Sequence, residues 1–123
     1  MVKEECYETL GKFLNLKPES IRLVTYDVKV DRLDNYTLEN CALIKIDAEG
    51  YESEIMLGMN EYLDQDVVVL VENSKRSFTF CKKYLEEKGF EEYGYKDKQL
   101  KKGVVNALNY YFVKPNSKYL RNQ

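Results

Sequence analysis

Two stretches decide the fold: Leu43-Ile44-Lys45-Ile46-Asp47-Ala48-Glu49-Gly50-Tyr51-Glu52 at 43–52 and Val67-Val68-Val69-Leu70-Val71-Glu72 at 67–72. Residues 43–46 are apolar on both faces apart from Lys45, the pattern of a strand in the middle of a parallel sheet, where a lysine needs a partner. Tyr51, Ile55, Met59, Tyr62 and Leu63 then recur at helical spacing, and the apolar run 67–71 follows the turn at 64–66. The unit is strand, helix, strand.

Upstream, Val2, Cys6, Leu10, Phe13 and Leu14 form an amphipathic helical stripe that stops at Lys17-Pro18, because proline disfavours helix in the residue before it. From Arg22 to Asp31 the pattern alternates, with Val24, Tyr26, Val28 and Val30 on one side and Thr25, Asp27 and Lys29 on the other. This predicts a half-buried strand, followed by a turn at Asp34-Asn35. Downstream, Phe78, Cys81, Tyr84 and Leu85 predict a third helix closing at Gly89, a residue suited to the left-handed conformation at a helix end. Short strands are expected at Glu91–Tyr95 and Ala107–Val113, separated by a lysine-rich loop from Lys96 to Gly103. Strands alternating with helices imply right-handed crossovers, so the expected fold is α/β: a mainly parallel sheet with flanking helices, ending in an antiparallel hairpin.

A length of 123 residues suits one domain spanning 1–123. Nineteen Lys and Arg against 21 Asp and Glu leave a net charge of -2, which provides no broad field to gather nucleic acid or an anionic membrane, so neither partner is expected. The longest aliphatic run is too short to cross a bilayer and residues 1–5 open with charges, which points to a cytoplasmic protein. Three scattered cysteines with no histidine fit reduced core residues, not a disulfide framework or a zinc site. Without histidine, acid–base chemistry near neutral pH falls to carboxylates, lysine, tyrosine or cysteine.

In parallel sheets ligands sit beyond the carboxyl ends of the strands, here Asp47-Ala48-Glu49-Gly50 and Glu72-Asn73-Ser74. Neighbouring strands would gather Asp47, Glu49 and Glu72 in one crevice. Acids at a helix start also stabilise its unpaired N–H groups, a structural reading that stands beside the functional one for Glu49 and Glu52. Strand periodicity puts Lys45 and Asp47 on one face, where they can form an ion pair, functional or structural. Repulsion within the cluster would raise at least one carboxyl pKa, as a general base requires. No metal is assigned, since nothing has the spacing of a calcium loop. Most of the eleven tyrosines, Tyr62, Tyr84 and Tyr110 among them, lie on apolar stripes and read as core. Tyr51, at the mouth of the crevice, reads either as packing or as substrate-lining, and Asn73 stands at the same rim. A nuclease built on Asp47, Glu72 and Lys75 fails on spacing, because Lys75 lies three residues after the glutamate and points the other way.

The run 43–52, followed by Ile55-Met56-Leu57-Gly58, then Val69-Leu70-Val71-Glu72, with Leu33-Asp34 upstream, resembles the FkbM family of S-adenosylmethionine-dependent methyltransferases. The likeness spans roughly residues 28–90. It implies O-methylation of a sugar or small-metabolite hydroxyl and a fold like the C-terminal half of the Rossmann-like methyltransferase sheet. It carries Asp47 and Glu49 over as active-site positions, the first near the transferred methyl group, and Lys45 and Glu72 match family positions too and complete the expected catalytic set. Tyr51 and Asn73, by their place at the crevice rim, are the expected substrate-side residues. The glycine-rich turn that holds the methionine part of the cofactor, and the acidic residue for its ribose, have no counterpart here. A partial domain is therefore expected, lacking the cofactor-binding N-terminal half and binding S-adenosylmethionine weakly or not at all alone. The resemblance leaves a truncated or partner-dependent enzyme as one reading. The other is a non-catalytic interaction module or remnant. Self-association or a partner chain would complete the sheet, or the alternating strand Arg22–Asp31 would itself cap the exposed edge.

Overall fold

The computed structural model describes residues 3–106 and 108–121; Val2 and Ala107, which the stripe and strand above include, lie outside them, as does the side chain of Cys6. The chain divides into two compact units, 1–30 and 31–123. In the first, helix α1 spans Lys3–Leu14 and a short 3-10 turn Pro18–Ser20. Residues 21–30 have no regular structure. The expected half-buried strand Arg22–Asp31 is therefore corrected: Val24, Tyr26, Val28 and Val30 are 63, 82, 77 and 89% exposed. Alternation supplies the side chains of a strand, but a strand also needs a neighbour to satisfy its backbone.

The second unit holds β1 (Leu43–Ile46), α2 (Glu52–Met56), α3 (Asn60–Leu63), β2 (Val68–Glu72), α4 (Phe78–Glu87), β3 (Glu91–Lys96), β4 (Gln99–Lys101), β5 (Asn109–Val113) and α5 (Lys118–Arg121). Its five strands form one sheet in the order β1-β2-β5-β3-β4. Only β1 and β2 pair in parallel; β2 with β5, β5 with β3 and β3 with β4 are antiparallel. The expectation of a mainly parallel sheet is thus overturned: the sheet is mixed and mostly antiparallel. The physical reason lies in β5. Strand β3 runs in the direction of β2, as an α4 crossover requires, but β5 wedges between them and turns each ladder antiparallel. The expected lysine-rich loop also contains a strand, β4, joined to β3 through Asp97 and Lys98, both in the left-handed region at φ 55° and 62°.

One face of the sheet carries Ile46, Val69, Val71 and Phe112, which pack with Met56 of α2, Leu63 of α3 and Leu85 of α4. On the other face Val68, Tyr93 and Val113 lie under Tyr119 and Leu120 of α5. The expected single helix over 51–63 is two helices, broken around Gly58, whose backbone N–H donates to Ile55 O at 2.9 Å. As expected, α4 closes at Gly89, with φ 84°. Among the described residues no helix is long and apolar enough to cross a membrane.

The Leu33-Asp34 step is more than a turn. Asp34 Oδ2 accepts the Asn60 N–H at 3.1 Å and Oδ1 the Glu61 N–H at 3.0 Å, so it caps α3 from 26 residues upstream. Burial acts to raise the Asp34 pKa, but these N–H groups and Arg32 outweigh it and lower it below its ordinary 3.8. Asp34→Ala is expected to cost about 1 kcal/mol in urea unfolding, the scale of a lost N-cap. The loss should shrink as pH falls below 3.8, where the native carboxylate itself takes up a proton.

Candidate functional site

The β1–β2 register, Lys45 beside Leu70 and Ile46 beside Val71, brings the residues just beyond, Asp47 and Glu72, side by side at the carboxyl end of the one parallel pair. Because Lys45, Asp47, Leu70 and Glu72 alternate with the core residues Ile46 and Val71, they share the face opposite α2, α3 and α4. Lys45 Nζ donates to Asp47 Oδ2 at 3.0 Å. Lys45 is not buried, as a central strand would have made it: β1 is the edge of the sheet and the lysine side chain is 54% exposed. Its partner requirement is met, but in water.

Glu49 completes the cluster. One carboxylate oxygen from each of Asp47, Glu49 and Glu72 lies within 4.8 Å of the others, close enough for one cation or one polar ligand to touch all three. Asp47 and Glu72 share a hydrogen bond. The Lys45 ammonium, with the bond from Glu72, lowers the Asp47 pKa below 3.8, while hydrogen bonding to Asp47 and its charge raise that of Glu72 above 4.5. Of the two, Glu72 is therefore the one that holds a proton more readily, and Asp47 the one that stays ionised. The raised group is thus at the end of β2, although sequence attention centred on Asp47.

The loop joining β1 to α2 owes its shape to a residue that sequence reasoning took for a helix-start acid. Glu52 is fully buried. Its Oε1 accepts the N–H groups of Ala48 at 3.1 Å and Gly50 at 3.0 Å, and its Oε2 accepts the Ser77 hydroxyl at the start of α4. Burial acts to raise its pKa, but the Ser77 hydroxyl and the loop N–H groups prevail and hold it at about 2. A signal was present in the sequence: Glu52 lies on one helical stripe with Met56 and Met59, both fully buried. Within the clamped loop Glu49 and Gly50 take φ 50° and 100°. The φ of Gly50 is what favours glycine there; a Cβ would also stand 3.3 Å from Arg76 Cδ, a tight contact that the arginine side chain would have to relieve.

The substrate-side positions flank the cluster. Tyr51 is exposed, and the Arg76 guanidinium lies 4.9 Å from its ring centroid, an aromatic–cation platform in place of core packing. Asn73 is exposed next to Glu72, its backbone N–H donating to Leu108 O at 2.8 Å. The structure thus gathers Lys45, Asp47, Glu49 and Glu72. Arg76, Ser77 and the clamping role of Glu52 were missed. Of the expected core tyrosines, Tyr62 is buried and Tyr84 and Tyr110 pack against the core. Cys81 is buried, its thiol pushed up to about 11 by burial, and Cys41 is half-buried; both are free.

Compared with family models, residues 9–96 match the one described as methyltransferase FkbM domain. No curated protein and no solved structure matches the chain.

Proposed function

Because the chain belongs to the methyltransferase FkbM domain family, we propose that its strand-end carboxylates are the acceptor side of an O-methylation site, holding a hydroxyl of a sugar or small metabolite. The observation that carries this reading is the Asp47–Glu72 pair, one carboxyl held ionised by Lys45 at 3.0 Å and the other with its pKa raised. Such a pair suits a polyol: Asp47 orients the acceptor by accepting a hydrogen bond from a neighbouring hydroxyl, and ionised Glu72 takes the proton of the reacting O–H. The Tyr51 ring, backed by Arg76, offers an apolar face for a sugar ring beside these polar groups.

S-adenosylmethionine, which the family implies, does not fit the residues described. The α-carboxylate of its methionine part would meet the acids at 47, 49 and 72. The glycine at the strand end offers no open backbone either, since Arg76 and Ser74 fill the space beside Gly50. Gly89 and Gly103 have open space, but they lie at the end of α4 and after β4. We therefore assign this chain the acceptor groups alone and leave the donor to other surfaces.

The test is saturation-transfer NMR of the chain with a panel of methyl glycosides. Binding is expected to strengthen as pH rises through the Glu72 titration above 4.5. It should weaken by at least roughly tenfold in Asp47→Asn or Glu72→Gln, the cost of a lost charge-assisted hydrogen bond. Equal binding in both variants would sink the assignment.

A further inference from the structure

Among the described residues, one copy of this chain contains a sheet edge with no strand beside it and a segment with strand-like alternation outside any strand, and the two match. Among the described residues β1 ends the sheet order, with no strand on its outer edge. Residues 24–30 carry period-two apolar side chains in no regular structure, with Val30 89% and Tyr26 82% exposed. We infer that residues 24–30 of one copy pair in parallel with β1 of a second copy, and reciprocally, to form a strand-exchanged dimer. The proposal does not rest on the methyltransferase reading, although it uses Lys45 and Asp47, which that reading places on the acceptor side.

Register and charge choose this occupant. Setting Thr25 beside Leu43 in parallel brings Tyr26 to Ile44, Asp27 to Lys45, Val28 to Ile46 and Lys29 to Asp47. The apolar side of the segment then extends the core face on which Ile44 and Ile46 already lie. On the other face Asp27 lies beside Lys45 and Lys29 beside Asp47, so both join the existing Lys45–Asp47 ion pair with charges of opposite sign, the kind of pairing that fixes strand register. An antiparallel arrangement that keeps Asp27 beside Lys45 sets Lys29 against Leu43 and loses the second pair.

The area is sufficient. Val24, Tyr26, Val28 and Val30 of two copies bring together roughly 1,000 Å² of exposed apolar surface, where specific interfaces begin. Reciprocal exchange closes on itself as a twofold dimer and leaves no free β1 edge to recruit further copies.

Sedimentation velocity of the full chain over a concentration series tests the inference, with amide hydrogen exchange on the same samples. A dimer with protected amides in 24–30 is expected. Val28→Asp, at an exposed position outside every element, should weaken dimerisation by more than roughly a hundredfold while one copy keeps its fold. Asp27→Lys should weaken it roughly tenfold, since each charge pair counts twice in a reciprocal dimer, and adding Lys45→Asp should restore it. A chain monomeric at every concentration would overturn the proposal. So would a dimer indifferent to Val28→Asp, or a monomer whose 24–30 amides are protected by pairing within one copy.

Discussion

Glu52→Ala is expected to destabilise the unit spanning 31–123 by about 3 kcal/mol in urea unfolding followed by circular dichroism. The residue is fully buried and accepts three donors, the N–H groups of Ala48 and Gly50 and the Ser77 hydroxyl. Alanine leaves all three without an acceptor and removes the bulk of a fully buried side chain. Glu52→Gln keeps the shape and one acceptor oxygen, so about half the loss is expected. The pH dependence separates charge from packing. The native pKa is about 2 against an ordinary 4.5, so the carboxylate's stabilisation is complete above pH 4.5 and lost as pH falls through 2. The stability gap between the native chain and Glu52→Gln should close over that window. A constant gap would mean that packing, not the charge, holds the loop.

Gly94→Ala is expected to cost about 2 kcal/mol or more, the scale of overpacking a site that cannot relax. Gly94 is buried in β3, and a Cβ there would press into the backbone carbonyl of Val104. The Val104 segment cannot easily retreat. Asn106 fastens it to β3, its Oδ1 accepting the Tyr95 N–H at 2.7 Å and its Nδ2 donating to Tyr95 O at 3.1 Å. These two bonds replace a strand ladder where β5 stops pairing. Asn106→Ala should free the loop, so that the double substitution costs less than the sum of the two singles by about 1 kcal/mol. Strict additivity would show that the loop does not confine Gly94.

Particular residues show how far the sequence could be read. The run from Leu43 to Glu72 revealed its strands because a period-two or all-apolar pattern is local, and the ends of β1 and β2 follow from Asp47 and Glu72 directly. The Lys45–Asp47 pair was equally legible, since two positions of one strand share a face whatever their neighbours are. Sheet order was not legible. That β5 inserts between β2 and β3 depends on partners far apart in the chain, to which hydrophobic periodicity is blind. The same blindness made Arg22–Asp31 read as a strand and Lys45 as buried, because both depend on what lies alongside. Glu52 was misread because acids are common at helix starts; only its stripe with Met56 and Met59 shows that this one turns inward. In the loop 96–103 the turn at Asp97-Lys98 lacks the glycine that ordinarily announces a hairpin, so β4 went unseen.

The long-range cap on α3 has a kinetic consequence. A helix of four residues is too short to persist by itself, and α3 is held by Asp34 at its start and by the Tyr62 hydroxyl, which donates to Tyr36 O and accepts the Leu38 N–H at 3.1 Å. Residues 32–38 and 60–63 thus form one clasp fastened at two points, in which neither arm can fray without releasing the other. The clasp opens as a single event, and the lead-in to β1 shares the lifetime of a helix more than twenty residues away.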